Sequence, residues 1–584
     1  MPRWSVLIFC AVALLLAGAS SLTWPVATPW ATAVADRALA SYGLVLDTAA
    51  PVELSLLPAP TLSFRSVRLR TRGHVLAEGA AMQVQFGVGG LLFGRTEIAA
   101  VALAGARITL PDEPDWAAPG AELLERLPEA SGRPFPRRLV LTDASVTAPG
   151  SGTGLSETVS GINLVATWPR ATSGLAVTAS LVWRGVPATV AVSGLRPVAL
   201  ASGEASPFVA SATWAAETPS AGSLDLEGTG TWAGGLRLAG SGRMVTASMP
   251  ATLGWFGGTL PLAPLLGAVS LEGRFESRAD RIELPDLRIG LGGNRFEGAG
   301  AVVLGDGRLA VSATLAAERL ALDLPSGRAD DWGRQLLDVT PYTGGDLDLR
   351  LSVGTAHLGP VGAEDVAAGL LIREGIVEAT LGRATIRGGT LKGRATLLSG
   401  DAGLEAKAQG SVDRIDLGTV LADLGAPRWL LGRARGTLSL EGSGWDLTEI
   451  SRRLTGRASL ALDGGEILGL GLADATQRAG SPLRRGGRTP FERAQVTLSL
   501  SDGVGDIVQG QIRGSTVVAG LRGRVWLPDR RLGVWVELEP RLQGTAEAGP
   551  ASLVEISGPW AEPVVRLIPT RNPALPAAAS AYAP

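Results

Sequence analysis

From about residue 50 onward, apolar and polar side chains alternate, the period of a strand with one dry and one wet face. In Leu347-Asp348-Leu349-Arg350-Leu351-Ser352-Val353, Leu347, Leu349, Leu351 and Val353 share one face, and Asp348, Arg350 and Ser352 the other. Similar runs at 223–227, 437–441, 496–500 and 521–527 place Leu438, Leu440, Val496, Leu498 and Leu500 on dry faces. Turn signals recur between such runs: Gly-Asp-Gly at 305–307, Arg-Glu-Gly at 373–375, Asp-Gly-Gly at 463–465 and Ser-Asp-Gly at 501–503. The pattern predicts a mainly β chain, a long series of roughly 30–40 antiparallel strands of ordinary length. A few short helices are expected over 121–127, 329–337, 417–424 and 447–454, the last N-capped by Asp446. Strands and helices do not alternate regularly, which argues against a doubly wound fold.

The start of the chain follows another pattern. No charge falls between Arg3 and Asp36, and Trp4 to Leu22 is almost wholly apolar. That length suits a helix crossing a hydrocarbon core of about 30 Å. Val6, Leu7, Ile8, Phe9, Leu14, Leu15 and Leu16 would form its body, with Trp24 at the level of an aromatic belt. Pro25 and Pro29 would end it. Ala17-Gly18-Ala19 also fits a cleavage site, so a removed signal peptide is the other reading. The uncleaved anchor is adopted here; in either case Arg3 keeps the N-terminus cytoplasmic and the bulk of the chain crosses the membrane.

Composition narrows the classes further. A net charge of −2 over 584 residues gives no electrostatic basis for binding nucleic acid. Cys10, the only cysteine, lies in the apolar segment, so the exported part has no disulfide and depends on burial and sheet pairing. The only histidines are His74 and His357, both read as surface or loop residues. There is no H-E-x-x-H, no cysteine pair, no G-x-S-x-G and no phosphate-binding P-loop. Asp112-Glu113-Pro114-Asp115 reads as a solvated loop, and Gly290-Leu291-Gly292-Gly293 and Gly469-Leu470-Gly471 as turns or bulges. Arg484-Arg485-Gly486-Gly487-Arg488 reads as a solvated basic turn, with contact to anionic headgroups as the functional alternative. The expectation is a protein that is not an enzyme and uses no cofactor or metal. The dry face must then pack on a second sheet, close into a barrel, or curl into a groove filled by a ligand, and alternation does not choose between sandwiches and a groove.

The detailed residues resemble the AsmA family. After the apolar start, Pro51 to Leu62 and Val67-Arg68-Leu69 are similar to the family's opening strands, and Ile98 to Leu110 to its next hairpin. The stronger likeness lies in Asp346 to Val353, Leu370 to Gly375, Ala384 to Gly393, Ile415 to Gly436, Leu454 to Leu460, Asp463 to Ile467 and Phe491 to Val504. Gly558-Pro559-Trp560-Ala561-Glu562-Pro563 looks like the family's closing turn. The implied layout is a cytoplasmic N-terminus (1–3), a transmembrane signal anchor (4–24), an N-terminal AsmA-like periplasmic region (25–150), a middle β region (151–340), an AsmA-like C-terminal domain (341–569) and a disordered tail (570–584).

The resemblance implies a long β-groove related to bridge-like lipid transfer proteins, held at the inner membrane with its bulk in the periplasm. It implies phospholipids as partners and a role in outer-membrane biogenesis. A second implied reading is a structural factor that affects targeting and insertion of outer-membrane proteins, with envelope assembly proteins as partners. It supplies no catalytic residues.

Overall fold

The computed structural model describes residues 23–568, except 40–43, 49, 58, 72–73, 89–97, 111–136, 150–155, 171–172, 217, 233–234, 258–259, 279, 305–308, 323–336, 402, 473–486, 516, 541–551 and 561–562. It contains thirty-one strands among these residues and few, short helices. The chain divides into two compact units, one of residues 1–258, 265–292 and 300–307, the other of 259–264, 293–299 and 308–584.

In the first unit each strand pairs with a neighbour close in sequence, and tight turns set the register. Trp183 and Val186 flank Arg184-Gly185, both at positive φ (48° and 77°), the two-residue turn whose twist matches that of a hairpin. In the second unit Glu374-Gly375 (51°, 82°), Arg387-Gly388 (46°, 78°) and Asp502-Gly503 (48°, 73°) do the same. The turns expected at 373–375 and 501–503 are therefore present.

Three expectations need correction. The series is not antiparallel throughout. Ile98–Ala104 and Arg107–Thr109 pair in parallel with Arg138–Pro149, and Leu309–Leu322 pairs in parallel with Asp346–Leu358. A parallel joint needs a crossover of a dozen residues or more, and both occur across long connections. Asp463-Gly464-Gly465 is not a turn but a bulge inside Thr455–Leu468. Gly432 pairs with Gly465 and Arg433 with Asp463, which leaves Gly464, at φ 55°, as the extra residue. Trp24 is not in an anchor helix. It lies on the short strand Thr23–Val26, opposite Leu54 of Val52–Ser55, where Pro25 is tolerated because the strand has one described partner. Residues 4–22, with Val6, Leu7, Ile8, Phe9, Leu14, Leu15 and Leu16, lie outside the described residues, as do Asp112-Glu113-Pro114-Asp115 and the tail. No helix among the described residues is long and apolar enough to cross a membrane.

The helices over 417–424 and 447–454 form as Leu417–Asp423 and Leu447–Arg452. Asp446 caps the second, its carboxylate accepting from Glu449 N at 2.7 Å. Residues 121–127 and 329–336 lie outside the described residues. Thr28–Leu39, Pro197–Ala201 and Met249–Phe256 are helices not expected from the pattern. Pro29, expected to end a helix, sits in the first turn of one, where its missing N–H costs nothing.

The core of the first unit lies at its N-terminal strands. Ala31 and Ala35 on Thr28–Leu39 are buried, one turn apart on a single face, in one cluster with Val52, Phe64 and Met82. Phe64 is 1% exposed, whereas Leu438 in the second unit is 41% exposed. Phe64→Ala is therefore expected to cost about 3–5 kcal/mol and Leu438→Ala under about 1 kcal/mol. Native-state hydrogen exchange over Thr61–Thr71 and Leu430–Gly444 measures both; equal losses of protection would contradict this placement of the core.

Candidate functional site

Cross-strand register shows where the dry faces go. In the second unit, residues directly opposite each other form one row across thirteen strands: Ala313, Leu349, Leu370, Ala379, Ala395, Ala408, Leu440, Gly456, Leu500, Gly505, Val525, Leu532 and Gly558. Twelve steps of about 4.8 Å make this row roughly 58 Å long. A second row beside it runs Leu315, Leu351, Ala368, Leu381, Gly393, Gly410, Leu438, Ala458, Leu498 and Ile507. Most of these positions are half-buried rather than buried. A floor closed by a second packed sheet would be dry on both sides; this one is partly open.

The opposite face carries charge. Arg394 meets Glu378 at 3.2 Å and Arg524 meets Asp506 at 2.8 Å. Arg435 lies between Asp413 (3.0 Å) and Asp463 (2.8 Å), and Arg493 reaches the same Asp463 at 3.2 Å. These pairs are exposed, so each contributes at most about 1 kcal/mol. Their larger effect is on register, since a one-residue slip would move them onto the apolar floor.

A line of bulges bends the sheet. Register shifts fall at 364–368, 381–384, 412–415, 432–433 and 506–511, on five of the eight strands from Val361–Arg373 to Val504–Arg513. Arg414 and Gly464 take positive φ within it. Bulged strands bend and twist more strongly. Beyond this line lies the fully buried cluster of the unit, with Leu430, Ala434, Leu462, Phe491, Ile512, Val536 and Leu538.

Short helices cover the ends of the strands on the dry side. In the second unit Ile450 of Leu447–Arg452 sits over Gly442, whose absent Cβ would lie 3.1 Å from the Ile450 carbonyl. Leu417 packs on the buried cluster. Arg387 donates from Nε and Nη2 to Asp423 at 2.7 Å each, tying Leu417–Asp423 to the hairpin at 387–388. Those hydrogen bonds raise the guanidinium pKa above its ordinary range. In the first unit, Trp255 of Met249–Phe256 lies 5.8 Å from Trp214, itself on the dry face against Gly222. A Cβ on Gly222 would meet the indole at 2.2 Å, so only glycine fits beneath it. Arg184 pairs with Glu157, donates to the Trp255 carbonyl at 3.0 Å and lies 5.1 Å over the Trp183 ring.

The first unit has its own row: Val26, Val52, Phe64, Met82, Leu103, Leu141, Leu164, Ala179, Val190, Ala212, Leu224, Met244, Leu271 and Ile289. Val52, Phe64, Met82 and Leu103 are buried in the cluster that holds Thr28–Leu39; from Leu141 on, apart from Ala179, the row is half-buried. Its N-terminal end is therefore closed and its later part open.

A cavity of about 540 Å³ opens on the floor of the second unit, walled by Leu349, Leu351, Leu370 and Leu381 over Ala379, Ala395 and Ala408. Of the residues singled out from the sequence, Leu349, Leu440 and Leu500 fall on the first row and Leu351, Leu438 and Leu498 on the second. Val496 lies one position further along, opposite Leu460. Leu347, Val353 and Leu500 are buried, Leu438 is exposed, and the others are half-buried. Leu370, Ala379, Leu381, Ala395 and Ala408 were not singled out, although Val377-Glu378-Ala379-Thr380-Leu381 alternates as plainly as the run at 347–353. His357 is on a strand, not in a loop, and is exposed. Among the described residues no group of three or more His, Cys, Asp or Glu comes together as a metal site.

These features define a β-groove: a bent sheet with one charged face and one half-open apolar face. The AsmA family model matches residues 325–508, so the resemblance read from the sequence holds over that stretch. The match spans the eight strands from Asp346–Leu358 to Arg488–Ser501, which carry the cavity. No curated protein and no solved structure matches the chain.

Proposed function

We propose that this is an inner-membrane-anchored periplasmic protein of Gram-negative envelope biogenesis that binds phospholipids and conducts them along its apolar rows, without catalysis. The observation that carries this reading is the half-open row from Ala313 to Gly558, apolar at every strand. Acyl chains are its natural occupants, since each methylene removed from water contributes about 0.8 kcal/mol. Headgroups stay at the wet mouth. Such a track needs no fixed polar constellation, because it moves many copies of a chemically uniform chain. The segment 4–22 supplies the anchor in this reading, and the family match over 325–508 supports the envelope role.

The test is lipid extraction and mass spectrometry on the full chain purified in a maltoside detergent. Several phospholipids per chain are expected. A folded, monodisperse chain that carries polypeptide and no phospholipid would replace this reading with that of an assembly factor acting through sheet edges.

A further inference from the structure

We propose that the second unit does not hold lipid evenly along its row but has a discrete seat for one acyl chain over Ala379, Ala395 and Ala408. The inference rests on the lipid-groove reading and adds a place and an occupancy to it. Three successive strands, Ile376–Ile386, Gly389–Gly400 and Gly403–Asp416, put alanine at the same point of the row, and two of them put Gly393 and Gly410 at the neighbouring point. The strands on one side present Leu349, Leu351 and Leu370, which with Leu381 wall the cavity over these alanines; Leu440, on the next strand to the other side, does not line it. The floor therefore drops beside a leucine wall, and the 540 Å³ cavity is that drop.

An alkyl chain in the drop touches floor and wall together, while one elsewhere on the row touches the floor alone. Contact number sets the dispersion gain, so residence time concentrates in the drop. The chemistry also selects the guest. The backbone N–H and C=O groups of these strands are already engaged in pairing. An extended peptide laid on this floor would bring one donor and one acceptor per residue and find no partner for those facing down. A hydrocarbon chain brings none.

The experiment places a photoreactive amino acid singly at Leu370, Leu440 or Val525 of the full chain, exposes the protein to phosphatidylethanolamine vesicles, irradiates, and counts lipid adducts by mass spectrometry. The adduct at 370 is expected about four- to fifteenfold above the other two, the ratio given by one or two additional buried methylenes. Ala395→Leu should fill the drop and abolish that excess while leaving 440 and 525 unchanged; Ala408→Val makes the same test with a smaller change if the leucine variant does not fold. Equal yields at all three positions would overturn the seat and leave the groove reading intact. No lipid adduct at any position would overturn both.

Discussion

Leu349→Asp with Leu351→Asp is expected to cut the phospholipid bound by the full chain at least about tenfold while the chain stays folded. Both side chains wall the cavity of the second unit and both are half-buried. An aspartate there keeps enough water to remain ionised, so the fold loses only about 1–2 kcal/mol, within the usual range for a substitution that removes partial apolar burial. For an acyl chain the change is far larger. It must now lie against two carboxylates that it cannot hydrate, and stripping water from a charge costs several kcal/mol. The matched control is Arg350→Asp with Ser352→Asp, two residues between and beyond the same leucines that point to the wet face. That pair changes charge by at least as much and should leave lipid loading within about twofold. Lipid phosphorus per chain, measured beside circular dichroism, decides the matter. Equal loss in both double variants would mean that the charge acts at a distance, and the row would no longer be the conductor.

The alternation at 347–353 was legible because each strand has one wet and one dry face, and that asymmetry is written locally in the sequence. So were the two-residue turns at 374–375 and 502–503 and the capped helix after Asp446. What the chain hides is anything set by a partner strand. The parallel joints at 98–149 and 309–358 look, residue by residue, like any other strands. The cavity depends on Ala379, Ala395 and Ala408 being brought level by register, and no single segment shows it. Met249–Phe256 is apolar almost all round, so it carries neither period clearly, and its helix is imposed by Trp214 and the Ser248 cap. Thr28–Leu39 was obscured by the apolar stretch that precedes it, which drew Trp24 into the expected anchor.

The bulge at Gly464-Gly465 joins these points, since Asp-Gly-Gly serves a turn and a bulge by the same backbone freedom. Before it, Leu460 and Leu462 face the dry side; after it, Gly465 and Ile467 do, opposite Gly432 and Leu430. The extra residue thus switches the alternation in step with the bend, and both halves of the strand keep their apolar side chains inward. Gly465 itself has no room for a side chain. A Cβ there would lie 1.9 Å from the Leu431 carbonyl oxygen and 2.8 Å from the Phe491 ring. Phe491 is buried and has little room to yield, and the carbonyl belongs to the neighbouring strand. Gly465→Val is therefore expected to destabilise the second unit by about 3–5 kcal/mol, at the upper end for one substitution. Gly469→Ala, at a bend with nothing within 4 Å of a new Cβ, has only its positive φ against it and should cost about 1 kcal/mol. Hydrogen exchange across Thr455–Leu468 and Arg488–Ser501 reads the difference directly. If Gly465→Val leaves those strands as protected as in the parent chain, the strands are not bent there, and the bulge line does not shape the groove.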